Sequence, residues 1–324
     1  MRHLIVVPLL LLLGCTPTSS ARLPAQPIQS TAMVVAETTA TSWQHGATMP
    51  IATSEMPAAV LDGLIYVAGG FGGETSLQSY DPTADQWQEH AEMPEGRHHL
   101  MAATHGELVY VLGGARAGTW QPMRNTWSYD PAANQWTELA LMPEPRMSGA
   151  AVTIGDSIYV AGGIGGRGNL LRYELATDTW HRLAAPQVER EHAAAVALDG
   201  QLYLLAGRWQ RSGEHRSVER YDPSIDTWHE VPAMNVARAG FGAAVLNGQI
   251  VVVGGEVFGS GTKALASVEL FDPQIQAWVL GPDIPMGIHG VPAAVVDNTL
   301  YLLGGSDVAG AIDNVGRVLI WSPS

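Results

Sequence analysis

The chain has 324 residues, of which 46% are hydrophobic and only 15% charged, and it carries 36 glycines and 20 prolines. Glycine and proline supply turn dihedrals, so this composition suits many short strands joined by tight turns and argues against long helices. A net charge of −14 lacks the accumulated positive charge that phosphate-backbone binding needs, so no nucleic-acid partner is expected.

In chain order, the N-terminus reads Met1-Arg2-His3, then an apolar run from Leu4 to Leu13, then Gly14-Cys15. A basic start, an apolar stretch too short to span a bilayer and a small residue before a cleavage point make residues 1–14 a signal peptide. The run Leu12-Leu13-Gly14-Cys15 resembles the lipobox of bacterial lipoproteins. That resemblance implies that Cys15 is lipidated, becomes the first mature residue and anchors the protein in the cell envelope. Cys15 is the only cysteine, so disulfides and cysteine chemistry are excluded from the mature domain. Residues 15–42, rich in Thr, Ser, Pro and Ala, are expected to form a flexible tether.

A repeat then occupies the rest of the chain. Trp43, Trp87, Trp136, Trp180, Trp228 and Trp278 are each followed 27 residues later by the glycine closing a small doublet: Gly70, Gly114, Gly163, Gly207, Gly255 and Gly305. Fifteen residues past each Trp stands an alanine: Ala58, Ala102, Ala151, Ala195, Ala243 and Ala293. A small side chain at a fixed place suits an innermost strand, where blades converge. Hairpin dipeptides such as Asp62-Gly63 and Asn247-Gly248 lead into a second strand carrying Tyr66, Tyr110, Tyr159, Tyr203 and Tyr301 in one register. A third strand ends in an aromatic, usually before Asp-Pro as in Tyr80-Asp81-Pro82, seven residues ahead of the next Trp. Only the stretch from the second glycine to this aromatic varies, by 10, 15, 10, 14, 16 and 16 residues. A period of 44 to 50 residues points to a propeller, and variable loops on one face are where recognition is usually built.

The glycine doublet, spaced Tyr, Trp and the Arg described below resemble the kelch repeat. The expected fold is therefore an all-β, six-bladed β-propeller over 43–324, its ring closed by an N-terminal outer strand at Trp43 joining the last blade. Departures are Ala206 for the first glycine of the fourth doublet and Trp321-Ser322-Pro323 for the last aromatic-Asp-Pro. Two segments compete for the third strand of the closing blade, Met33 to Ala36 and Val318 to Trp321; the kelch pattern favours the second.

Three residue sets share the loop face. Ten residues past the Trp stand Arg97, Arg146, Arg190 and Arg238, with Thr53 and Ile288 in the other units. Arginines around a channel mouth would hold an anion by bidentate hydrogen bonds; as part of the kelch consensus they would instead join blades through acidic partners, and this reading is preferred. His99 and His192 lie twelve past the Trp, His98 and His289 eleven past. Three imidazoles in alternate blades suggest a trigonal metal site, but His289 is one residue out of register and one step along a strand reverses a side chain. Hydrogen-bonded histidines, with no metal and no cofactor, are expected. The variable loops add Trp120 and Arg124, then Arg208, Trp209, Arg211, Glu214, His215 and Arg216, then Phe258 and Lys263, a surface for stacking sugars or gripping acidic side chains.

Galactose oxidase shares the kelch propeller but needs a cysteine bonded to tyrosine beside copper, which Cys15 cannot supply. Ser224-Ile225-Asp226-Thr227-Trp228 approaches a sialidase box but lacks its glycine and spacing. The leading expectation is a binding module for a protein or glycan. The alternative is a sugar isomerase resembling the kelch-type N-acetylneuraminate epimerases, with a mouth arginine holding the sugar carboxylate and Glu191, His99 or His192 exchanging protons.

Overall fold

A computed structural model describes residues 42–210, 213–259 and 261–323. The signal peptide, Cys15, nearly all of the tether and the competing segment Met33 to Ala36 lie outside the described residues.

Short apolar runs and glycine-bearing turns give each repeat four antiparallel strands, and six four-stranded sheets result. Blade one runs through Ala58–Leu61, Leu64–Ala68, Leu77–Asp81 and Gln86–Glu89 from the inside outward. Blades two to five repeat that order, each beginning on an alanine-rich strand such as Ala194–Leu198 in blade four. Blade six takes Ala293–Val296, Thr299–Leu303 and Val318–Trp321 from the C-terminus and Gln44–Gly46 from the N-terminal side. Gln44 pairs with Ile320 and Gly46 with Val318, so the ring closes as the repeat register implies, and Val318–Trp321 is the third strand.

Hydrophobic burial lies mainly between blades. Ile65, Val67 and Tyr80 of blade one, for example, pack with Ala294, Tyr301 and Leu303 of blade six. Three rings of hydrogen bonds then tie each blade to the next. In the outermost, each repeat tryptophan donates its indole N–H to a backbone carbonyl of the preceding unit, from Trp87 to Ala47 at 2.8 Å round to Trp43 on Pro282 at 3.1 Å. In the second, the closing glycine of each doublet donates its backbone N–H to the carbonyl ten residues past the next Trp: Gly70 to Arg97, Gly114 to Arg146, Gly163 to Arg190, Gly207 to Arg238, Gly255 to Ile288 and Gly305 to Thr53, all at 2.8 to 2.9 Å. This approach is why the doublet is glycine: at Gly69, with φ of +61°, a Cβ would stand 2.7 Å from the Arg97 carbonyl oxygen. Ala206 alone departs, holding a left-handed φ of 41°.

The innermost ring surrounds the axis. Glu55, His99, Ser148, His192, Gly240 and Gly290 each donate a backbone N–H to the preceding member's carbonyl, and Glu55 closes the circle on Gly290, at distances of 2.7 to 3.0 Å. All six have φ between 48° and 61°. These are the residues twelve past each Trp, and their left-handed turn aims the chain into the inner strand.

Candidate functional site

The inner ring stands where the axial channel opens on the loop face. Side chains of Glu55, His99, Ser148 and His192 line a cavity of about 160 Å³ there, while the offset-fifteen alanines Ala58, Ala102, Ala151, Ala195, Ala243 and Ala293 line its walls. The channel continues past them among Ala, Val and Thr side chains alone, so its chemistry is confined to the mouth.

The four arginines are not at that mouth. Arg97, Arg146, Arg190 and Arg238 are 0–1% exposed, and their guanidinium groups are spent inside their own blades. Arg190 donates to the Ala206 and Ser217 carbonyls and pairs with Glu219; Arg238 donates to Gly254 and Ser267 and pairs with Glu269 at 2.7 Å. Arg146 pairs with Glu144 at 2.7 Å, and Arg97 pairs with Glu95 at 2.8 Å and lies over the Trp127 ring at 4.9 Å. It is their backbone that crosses to the preceding blade, through the four carbonyls and through the N–H groups of Arg97, Arg146 and Arg238 on the Glu74, Met123 and His215 carbonyls. Their acidic partners lie within a blade rather than across an interface, and their guanidinium groups are buried away from the mouth.

The histidines do converge, and two acids and an arginine join them. His99 Nε2 lies 2.9 Å from His192 Nε2, and Glu55 Oε2 is 3.5 Å from the first and 3.9 Å from the second. His98 donates Nε2–H to the Thr119 carbonyl at 2.9 Å, since a carbonyl only accepts, and its Nδ1 faces His99 Nδ1 at 2.6 Å. With His98 neutral, His99 carries its proton on Nδ1 and turns the Nε2 lone pair toward the axis. His192 Nδ1 bonds to Glu191 Oε2. Glu191 Oε1 takes Arg208 Nε at 3.0 Å, and Arg208 reaches Glu256 Oε1 at 2.6 Å. Glu256 Oε2 faces His289 Nδ1 at 3.3 Å, which is also 3.5 Å from Glu55 Oε1, closing a circuit around the mouth.

His289, expected to point away, therefore takes part. Strand alternation fails at the left-handed residue, so positions eleven and twelve past the Trp both reach the mouth. Sequence reasoning passed over Glu55 and Glu256. Glu55 shares the register of His99 and His192, and Glu256 stands directly after its doublet, in the register of Arg208.

Burial sets the protonation states. It lowers His98, pushes His99 down to about 4 and drives His192 well below the usual imidazole range, with Glu55 opposing only in part. Burial alone would raise the Glu55 carboxyl, but His99, the hydrogen bond from His289 and the other facing imidazoles hold it well below the carboxylate range. His289 is raised: burial works against its charge, and Glu55, Glu256 and the Val308 carbonyl prevail.

The loops frame this cluster. Trp120 is 61% exposed, and its ring lies 5.1 Å from His99 and 5.2 Å from His98. Arg208 sits 5.1 Å from the Phe258 ring, and Trp209 is half-buried in the same blade-four loop. Arg124 turns to the Met142 carbonyl, and Lys263 is exposed. Arg211 is outside the described residues.

A closed ring of six four-stranded blades, with doublet glycines bridging to the next blade and an indole on the preceding one, defines a kelch-type β-propeller. The chain belongs to the Attractin/LZTR1 beta-propeller family, whose model matches residues 65–307. No curated protein sequence matches it. Among solved structures, one titled "Structure of YjhT" is similar at 18% identity and a TM-score of 0.74, covering 84% of this chain and 96% of that one. That likeness is one of fold.

Proposed function

We propose that this chain is a lipid-anchored recognition module of the cell envelope that grips a protein or glycan at its loop face. Exposed apolar side chains around the mouth carry the reading: Trp120 is 61% exposed, Phe258 39%, Val308 50% and Ile312 60%. Clustered apolar exposure on one face marks an interaction surface, and aromatics dominate such contacts. The mouth cavity, about 160 Å³, is below the roughly 300–1,000 Å³ that encloses a small molecule, and the channel of about 340 Å³ beyond it offers only Ala, Val and Thr side chains. A ligand thus seats one polar group in the mouth and spreads the rest over the loops.

Glycan-array binding and capture of crosslinked envelope proteins, with the mature chain and Trp120→Ala, test this. The reading expects a ligand whose retention falls roughly tenfold in the variant, the loss of a contact worth about 1.4 kcal/mol. Absence of any retained ligand, or indifference to Trp120, contradicts it. The membrane anchor rests on Cys15: Cys15→Ser is expected to release the protein from membranes, and unchanged partitioning refutes acylation.

One observation favours the isomerase alternative. Arg208 stands against the shielded acids Glu191 and Glu256 and is linked to His192 through Glu191, a cation placed to grip a carboxylate beside groups that exchange protons. Arg208 is then the arginine to remove, and anomer interconversion of N-acetylneuraminate is the assay. No turnover above the buffer rate disposes of this reading.

A further inference from the structure

The geometry points to a divalent metal site formed by Glu55 Oε2, His99 Nε2 and His192 Nε2, of the borderline type that zinc prefers. It extends beyond the recognition reading and does not depend on it. The three atoms form a triangle with sides of 2.9, 3.5 and 3.9 Å. The point equidistant from all three lies about 2.0 Å from each, within the roughly 2.0–2.2 Å of zinc bonds to imidazole nitrogen and carboxylate oxygen. Two imidazoles and one carboxylate with a further position open is a ligand set of zinc sites that act on a bound molecule.

The surrounding groups are arranged as metal sites require. A ligating imidazole usually donates its other N–H to a fixed acceptor. His192 does so to Glu191, which Arg208 holds; His99 does so to His98, which the Thr119 carbonyl holds. The second Glu55 oxygen faces His289. With both Nδ1 positions protonated, two Nε2 lone pairs confront each other at 2.9 Å beside a carboxylate oxygen. Such an arrangement is repulsive unless a cation lies between. Charge counts the same way: Glu191 and Glu256 share one arginine, Arg208, while Glu55 is faced only by the imidazoles of His99, His192 and His289.

The open position faces the cavity. Ser148, between His99 and His192 in the inner ring, lines it, and its hydroxyl is buried without a hydrogen-bond partner among the described residues. It is placed to bond to a water or ligand atom on the metal. Trp120 covers the histidines from the solvent side. The metal would thus bind an oxygen or nitrogen donor of whatever the loops hold.

The test uses the purified mature chain, stripped with chelator, dialysed against Zn²⁺ or Co²⁺ and assayed for metal content and visible cobalt absorption. One metal per chain and a low-symmetry cobalt spectrum are expected. His99→Ala and His192→Ala should lose both signals, Glu191→Gln should weaken affinity on the order of 10–100-fold, and His105→Ala, altering a histidine that faces Asp156 at 3.3 Å and does not line the mouth, should change nothing. Near-ultraviolet dichroism checks that each variant is folded. A folded wild type that returns from dialysis without metal overturns the proposal, as does a stoichiometric metal that survives loss of both histidines. The wild-type measurement decides even if a variant fails to fold.

Discussion

The arginines ten residues past each tryptophan and the mouth groups eleven and twelve past are neighbours along the chain, yet their charges are disposed differently. Every buried arginine has one acid, taken either from eight residues past the Trp (Glu95, Glu144) or from the third strand (Glu219, Glu269). Where the arginine is missing, so is the acid: Thr53 accompanies Gln78, and Ile288 accompanies Leu319. Gln78 instead exchanges two neutral hydrogen bonds with Ile51 at 3.0 Å. A lone buried charge is costly, and the two partners vary together. At the mouth this rule lapses, since two carboxylates share one guanidinium, a third faces only imidazoles, and lone pairs face one another. One acid for each buried arginine serves the fold; the uneven charge of the mouth leaves room for something from outside.

The contrast can be broken most forcefully at the arginines. Arg146→Ala or Arg238→Ala strands a buried carboxylate and is expected to cost about 3–5 kcal/mol in urea unfolding. Replacing both partners at once, Arg238→Ile with Glu269→Leu, copies the pair that blade six already carries and should recover most of that loss. If the double variant is as unstable as the single one, the pairing argument fails.

Acid should act on the mouth. His99 is pushed down to about 4 in the folded protein, so between that value and the usual imidazole range the unfolded chain binds more protons. Stability is therefore present above the unfolded value and lost as pH falls toward the folded one. Depression of Glu55 adds in the same sense. Chelated protein should lose about 2–3 kcal/mol from His99 alone between about pH 7.5 and about pH 4.5, with Glu55 adding to this. A flat profile contradicts the assigned neutral imidazole.

Smaller effects sharpen the picture. Trp43→Phe keeps the packing of 5.8 Å between ring centres against Trp321 but removes the indole bond to Pro282, and should cost about 1 kcal/mol. Trp120→Ala should shift stability by less than about 0.5 kcal/mol while impairing ligand capture, since that exposed ring serves the mouth and not the core.

Much of this architecture was legible in the sequence because its determinants are backbone contacts repeated at fixed offsets. An invariant 27-residue step from Trp to glycine is visible since an indole bond and a doublet contact recur in every blade. The closing strand followed from the unmatched Trp43. The mouth was only half legible. His99 and His192 shared a register, but Glu55 in that same register differs in chemistry and drew no notice. His289 was set aside by strand alternation, which a left-handed residue interrupts. Arg208 and Glu256 hold the same place after their doublets, but that shared register does not reveal that their side chains meet across blades at 2.6 Å.

The division between fold charges and mouth charges meets its most direct test in the unfolding midpoint of wild type, Arg146→Ala and His192→Ala, each with chelator and with saturating Zn²⁺. Blade three gives the mouth no charged side chain, so Arg146→Ala should lower the baseline yet keep the wild-type zinc increment, about 2.7 kcal/mol when free zinc is near 100 times its dissociation constant. His192→Ala should lose that increment. A wild type indifferent to zinc, or a full increment retained without His192, contradicts the account.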